Sequence, residues 1–266
     1  MNQTQKIIKY FAIALAFLLI FTIITTSINF ISAVTNFFSN DDNITENLRE
    51  LEFTMDTSNL DIDVTSSNII FKTGDSFKIE TNNKKIELKE TNDELKIKEK
   101  KRNYFNRKNS DLVITVPVDY KFNKVEIDSG AGVVDIAKLN TEILDFDLGA
   151  GKVDVDNLNV LEKTSIEGGA GKISIKNSII NNLDLDMGVG ELTLNSLVIG
   201  NSKINAGVGK LTLDLIGIDY KVKVQKGIGE ATFNDNNMKD STYYGEGSNI
   251  IEIDGGVGSI NISVGN

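Results

Sequence analysis

A Gly-x-Gly frame recurs seven times in this chain, and its spacing constrains the fold more than any other feature. The copies are Gly130-Ala131-Gly132, Gly149-Ala150-Gly151, Gly169-Ala170-Gly171, Gly188-Val189-Gly190, Gly207-Val208-Gly209, Gly227-Ile228-Gly229 and Gly256-Val257-Gly258. The steps between first glycines are 19, 20, 19, 19, 20 and 29 residues. A fixed period of this size marks a stacked-repeat architecture.

Aligned on the first glycine, four columns are apolar in every copy. Three residues earlier stand Ile127, Phe146, Ile166, Leu185, Ile204, Val224 and Ile253, and the residue between the glycines is Ala, Val or Ile. Two residues after the second glycine the column runs Val134, Val153, Ile173, Leu192, Leu211, Ala231, Ile260, and two further on Ile136, Val155, Ile175, Leu194, Leu213, Phe233, Ile262. Apolar residues with period two face a core. The inward positions are odd before the first glycine and even after it, so alternation breaks once, at the second glycine. A change of face needs a sharp bend or an extra residue, which glycine allows. Each frame is thus expected to be a corner between two strands, with its middle residue filling the core at the bend. A second turn is marked by residues such as Asp156-Asn157-Leu158.

Two strands and two turns make one coil, and stacked coils pair as parallel sheets. The expected fold is all-β: a parallel β-solenoid (β-helix-like) of about 19–20-residue coils over residues 125–266. An antiparallel β meander is expected before it and one N-terminal transmembrane helix before that. The 29-residue step carries an excursion, Asn234 to Asn249, with Tyr243-Tyr244 in it. An uncapped coil exposes a row of unpaired backbone groups. The chain reaches Asn266 directly after the strand that follows Gly258, so this excursion or a partner strand is expected to cover that edge.

Residues 51–124 read as an N-terminal β region with a degenerate first coil. Leu51, Phe53 and Met55 alternate with polar neighbours, as do Leu60, Ile62 and Val64. Met55-Asp56-Thr57 aligns with Ile127-Asp128-Ser129 and Ile62-Asp63-Val64 with Val134-Asp135-Ile136, which puts Ser58-Asn59 in the place of Gly-x. Short alternating runs follow at Ile69–Lys72, Phe77–Glu80, Lys85–Lys89, Glu94–Lys98 and Leu112–Val116, punctuated by Gly74-Asp75, Asn82-Asn83 and Asn92-Asp93. These are the signals of hairpins. The segment Lys100 to Lys108 is a dense basic stretch around Tyr104 and Phe105, read as a solvated hairpin tip.

Lys6 and Lys9 precede a run from Tyr10 to Asn40 with no charged residue, of which Phe11 to Ile31 is mostly Phe, Ile, Leu and Ala. About 20 apolar residues span a hydrocarbon core as a helix. Lysines before the run and Asp41, Asp42 and Glu46 after it orient the N-terminus to the cytoplasm. The run is longer than the apolar region of a cleaved signal peptide. Residues 1–40 are therefore expected to be a cytoplasmic N-terminus and single-pass anchor, 41–50 a linker, and the β domain extracellular at the cell membrane.

The chain has 28 basic and 38 acidic residues, a formal net charge of −10, and no cysteine or histidine. The acidic balance disfavours a nucleic-acid partner, since phosphate binding needs a basic face. Without cysteine there is no disulfide, thiolate metal site, cysteine nucleophile or lipid-modified cysteine. Without histidine the usual general base and the commonest metal ligand are missing. No catalytic, cofactor-binding or metal residue is assigned, and no cofactor is expected. A phosphate-binding loop needs a Gly-rich turn that opens a helix, whereas an alternating strand follows every frame here. Gly149 to Asp154 partly resembles a calcium-binding nonapeptide repeat, but the Asp column continues as Asp135, Asp154, Ser174, Thr193, Thr212, Thr232 and Asn261. The column two before the corner, Asp128, Asp147, Glu167, Asp186, Asn205, Gln225 and Asp254, is read as a solvated acidic stripe.

Leu112-Val113-Ile114-Thr115-Val116-Pro117, then Phe122-Asn123-Lys124-Val125-Glu126-Ile127 leading into the first Gly-Ala-Gly, and the coils that follow resemble a bacterial β-strand-repeat family that carries the name "putative adhesin". It is a domain of unknown function with no established catalytic or ligand residues to carry over. The resemblance covers the chain from about Leu51 onward and implies a surface protein. A non-catalytic, membrane-anchored binding or scaffold role is the function expected, with an envelope protein or a surface polymer as partner. The alternative is a regulatory or sensory envelope protein, of the cell-envelope stress type, acting through a membrane partner. A carbohydrate-active β-helix enzyme needs carboxylates or arginines gathered in a groove; here the acids fall in repeating columns.

Overall fold

A computed structural model describes residues 47–54, 57–91, 93–100 and 110–265. The expected transmembrane segment and the basic stretch beyond Lys100 lie outside the described residues. Among those described, no helix is long and apolar enough to cross a membrane.

The strands run in chain order as β1 (Arg49–Glu50), β2 (Asn59–Val64), β3 (Asn68–Gly74), β4 (Lys78–Thr81), β5 (Ile86–Thr91), β6 (Glu94–Glu99) and β7 (Asp111–Pro117). The repeats follow as β8 (Phe122–Ile136), β9 (Leu139–Asp156), β10 (Leu158–Asn181), β11 (Leu183–Ile199), β12 (Asn201–Leu215), β13 (Tyr220–Gln225) and β14 (Ile228–Phe233), then β15 (Asn236–Asn237), β16 (Tyr243–Tyr244) and β17 (Asn249–Val264). Consecutive repeats pair in parallel, like residue over like: Ile127 with Phe146, Ala131 with Ala150, Val134 with Val153. The same columns continue as Ile166 with Leu185 and Ile173 with Leu192. Their side chains form one continuous buried core. Each fully buried Leu, Ile, Val or Phe contributes about 1.5–3 kcal/mol, so the inward columns are the main stabilising term.

The bend falls where the alternation breaks. The second glycines have φ between +142° and +158°, a region that L side chains avoid. The second turn uses asparagine in the left-handed region, with φ of 51° at both Asn157 and Asn177, which short polar side chains tolerate. Beyond the two strands expected per coil there is a short third run. Leu158–Val160 pairs with Leu139–Thr141 before a register slip, and Ser178–Asn181 pairs with Ser196–Ile199.

The N-terminal region is not a simple antiparallel meander. β2 and β3 form a parallel layer on β8, and β6 and β7 form a further parallel layer on β2 and β3. Only β1, β4 and β5 run antiparallel to their neighbours here. Alternation reveals which face of a strand is buried but not its direction, and direction was set by partners distant in sequence. The degenerate coil is also seven residues further along than the sequence alignment placed it. Ile62 pairs with Ile127 and Ile69 with Val134, so Thr65-Ser66-Ser67, not Ser58-Asn59, occupies the glycine corner.

The resulting stack is β6/β7, β2/β3, β8, β9, β10, β11, β12, β17, β13/β14. These nine layers, at about 4.8 Å per step, span about 38 Å. Both end layers are closed by antiparallel strands. β5 lies on β6 and β4 on β7 at one end, and β16 lies on β13 and β15 on β14 at the other. The excursion at 234–249 covers an edge, but not the edge of the last strand where it was expected. The covered edge belongs to β13 and β14, because β17 is enclosed between β12 and them.

Candidate functional site

The fourteen corner glycines, Gly130 to Gly258, stack into two columns with backbone lying on backbone. A Cβ placed on Gly149, Gly169, Gly188, Gly207, Gly227 or Gly256 would fall 1.9–2.3 Å from a carbonyl oxygen of the adjoining corner. On Gly151, Gly171, Gly190, Gly209, Gly229 or Gly258 the distance would be 1.7–2.0 Å. At Gly130 and Gly132, which lie over Thr65 and Ser67, it relaxes to 2.9 and 3.1 Å. The middle residues are half-buried, so they close the core at the bend only in part, and Ile228 on the end layer is 61% exposed. At the first two frames the residue before the corner, Ser129 and Leu148, is buried and adds inward packing at the bend.

On the outer face of the strand before the corner, register builds two parallel carboxylate ladders. One reads Asp63, Asp128, Asp147, Glu167, Asp186, Asn205, Asp254, Gln225. The other reads Asp61, Glu126, Asp145, Ser165, Asp184, Lys203, Glu252, Lys223. The expected stripe is therefore present, and it is twice as wide and one layer longer than sequence columns alone showed. An open groove of about 440 Å³ runs beside it, floored by Gly149, Gly169, Gly188 and Gly207 and walled by Asp147, Glu167 and Asp186.

Compensation is concentrated at the ends of the ladders. Lys98 pairs with Asp63 at 2.7 Å and Lys96 with Asp61. Carboxylate oxygens of Asp61, Glu94 and Glu126 lie within 4.8 Å of one another, and the Lys96 ammonium sits among these charges, with Lys124 on Glu126 at 2.7 Å. Burial, and after it the neighbouring Asp147, Asp63 and Asp61, push the Asp128 carboxyl up from its ordinary value. Burial and then Asp154 do the same to Asp135.

These shifts have a sign that can be measured. A carboxyl whose folded pKa is raised binds protons more tightly in the folded state, so stability falls as pH rises from the ordinary carboxylate value to the raised one. Asp128→Asn is therefore expected to be stabilising at pH 7, by about 0.5 kcal/mol because solvent screens an exposed ladder. It should also flatten part of the stability loss as pH rises above the ordinary carboxylate value. Urea unfolding across that range checks it, and a variant less stable than the parent at pH 7 would overturn the assignment.

The arrangement suits recognition by charge over an extended, rigid face. Its carboxylates repeat at strand spacing and lie beside no histidine or cysteine, residue types that the chain lacks. The fold and this face together define a non-globular class, the parallel β-solenoid with a charged outer sheet. The chain belongs to the Toastrack DUF4097 family, whose model matches residues 57–244. Its fold is also similar to the crystal structure of a "putative adhesin" from Bacteroides fragilis. The TM-score is 0.56 at 16% identity, covering 82% of this chain and 98% of that one. A "putative cell adhesion protein" from Clostridium sporogenes aligns at 18% identity with a TM-score of 0.39, covering 82% of this chain and 97% of that one. A search of curated proteins found no match. The resemblance read from the Gly-x-Gly coils thus identified the right kind of family, and the structural likeness at these identities concerns the fold alone.

Proposed function

We propose that the protein is a non-catalytic, membrane-anchored surface module that binds an envelope protein or surface polymer through the acidic face of its solenoid. The observation that carries this reading is the double carboxylate ladder, from Asp63 to Asp186 and from Asp61 to Asp184, held in fixed register on a stacked scaffold. A mostly apolar run from Tyr10 to Asn40 with no charged residue supports the anchor, and the name carried by the similar Bacteroides fragilis structure agrees with a surface role. A ladder of this kind favours cationic partners, and its affinity falls with ionic strength.

The test uses the full chain on cells, with binding to immobilised polylysine and to an uncharged control measured in low and high salt. Neutralising Asp128, Asp147, Glu167 and Asp186 to their amides is expected to lower low-salt retention at least tenfold without lowering the unfolding midpoint. Unchanged retention would overturn the role of the face. Replacing residues 10–40 with an unrelated apolar helix should leave binding intact. Loss of binding with that replacement would favour a regulator coupled through its helix.

A further inference from the structure

At one place the repeat period and the stacking order disagree. The step from Gly207 to Gly227 is 20 residues, as is the step from Gly149 to Gly169. From β8 to β12, each such step carries the chain to the adjacent layer. Here it skips one: β17 pairs with β12 on one side and with β13 and β14 on the other. The crossover between β12 and β13 shows the consequence. Gly217 has φ +93°, and Ile218 is 84% exposed. The buried Tyr220 hydroxyl accepts from the Val198 N–H at 3.1 Å and donates to the Ile216 carbonyl at 2.8 Å, standing where ladder bonds would continue.

The two walls of this slot also match each other. Through β17, Ile204 faces Ile253 and then Val224, Val208 faces Val257 and then Ile228, and Leu213 faces Ile262 and then Phe233. Without β17, β12 would meet β13 and β14 glycine corner on glycine corner, as every other regular step does. The slot is nevertheless shaped for β17. Glu252 lies between Lys203 and Lys223, Ser263 donates to Asp214 at 2.6 Å, and Thr232 donates to Asn261 at 3.1 Å. Closure would instead set Lys203 against Lys223, a like-charge pair. The segment joining β14 to β17 pairs with β13 and β14 over two residues each and is further tied to that end layer by the buried Met238 and by the bonds of Ser248 and Asn249 to Asp219.

We infer that β17 is an exchangeable strand. It leaves the slot between β12 and β13/β14 and enters the same slot of a second copy of this chain, and a slot closes only in the interval while it stands empty. Such exchange of an identical element is a low-cost route to dimers. The occupant is a second copy because the pairings that select β17 within one chain select it equally from another.

The chain contains no cysteine, so engineered thiols report on strand position without background. Thr212, Asn261 and Thr232 occupy successive rungs. Neighbouring rungs, about 4.8 Å apart, are within disulfide reach, whereas Thr212 and Thr232, about 9.6 Å apart, are not. In the full chain, the adjacent pairs Thr212→Cys with Asn261→Cys and Thr232→Cys with Asn261→Cys are expected to close within one chain, which shows that the variants fold. Thr212→Cys with Thr232→Cys is expected to close slowly, reporting the shut slot, and Lys223→Glu should speed it about fivefold by removing the like-charge pair. Mixing a single Thr212→Cys chain with a single Asn261→Cys chain at high concentration should give a mixed disulfide dimer in excess over either homodimer. If the adjacent pairs close fully while either the Thr212–Thr232 bond or the mixed dimer fails to form, exchange is excluded.

Discussion

A chain carrying Gly151→Val is expected to lose the folded stack, or to retain it with stability lowered by roughly 4 kcal/mol or more. Two independent costs act at the same atom. Gly151 has φ +158°, and a Cβ there would stand 2.0 Å from the Gly132 carbonyl oxygen and 3.1 Å from the carbonyl carbon. Both belong to backbone fixed by pairing on either side, so no side-chain rotation relieves the contact. Separating the layers would break the ladder and open the core between Phe146, Val153 and their neighbours. In a stack where each layer contacts only the next, that damage divides the molecule. Gly217→Ala is the control. Gly217 also has positive φ, at +93°, but no atom lies within 4 Å of its Cβ position, so the cost is the backbone one alone, about 1 kcal/mol. Urea unfolding followed by circular dichroism separates the two. A parent-like midpoint for Gly151→Val would show that the corners do not stack as described.

The reason the glycine corners could be read from sequence is that their constraint is local and repeated. Each copy meets the same neighbour in the same way, so the steric rule is printed seven times. The apolar columns and the acidic column were legible for the same reason, and their register in the stack follows the alignment residue for residue. Thr65-Ser66-Ser67 was not legible because that corner lies against the β6/β7 layer, where no glycine column forces its composition. At its neighbours Gly130 and Gly132 the clash is milder, at 2.9 and 3.1 Å, though still tighter than ordinary contact. The second carboxylate ladder was missed for a related reason. Asp61 joins Glu126 only once the seven-residue shift in the first coil is known.

The position of β17 lay beyond what periodicity encodes. A period states how far the chain travels per layer, and it is silent on whether a later segment enters between two layers. The 29-residue step flagged an excursion but not its destination. One signal was available: in the last three copies the column reads Lys203, Lys223, Glu252 in chain order, and charge alternates only if the third strand lies between the first two. Antiparallel closure at both ends was likewise set by long-range partners, since β4 looks like any other short alternating run and β16 is only the pair Tyr243-Tyr244.

Glu99→Ala is expected to destabilise the protein by about 4 kcal/mol, with the loss starting at the β2/β3 layer. In the repeats, a corner N–H donates to a carbonyl of the adjoining corner, as Ala131 does to Thr65 at 3.0 Å. For Thr65-Ser66-Ser67 a side chain supplies the acceptor. One oxygen of Glu99 accepts from the N–H groups of Thr65 and Ser66 at 2.9 and 3.0 Å, and the other accepts from the Asn83 amide at 2.9 Å. Asn83 in turn donates to Ser67, whose hydroxyl shares a 2.9 Å hydrogen bond with Ser110. Glu99 is 3% exposed, so truncation leaves three donors without their acceptor, the buried Asn83 amide among them, at up to about 1–3 kcal/mol each. Glu99→Gln keeps one oxygen but turns an amide donor toward another donor, and about 2 kcal/mol is expected. The alternation of β6 places this residue inward, in line with Leu95 and Ile97, one residue beyond the alternating run Glu94–Lys98 read from the sequence; a lone glutamate at an inward position is the signal that a capping carboxylate leaves in a sequence. Hydrogen exchange gives the readout that a general loss of stability would not. Amides of Leu60 to Phe71 should exchange faster in Glu99→Ala while those of Leu185 to Leu213 keep their protection. Uniform acceleration, or an unchanged urea midpoint, would show that the corner is held by something other than this carboxylate.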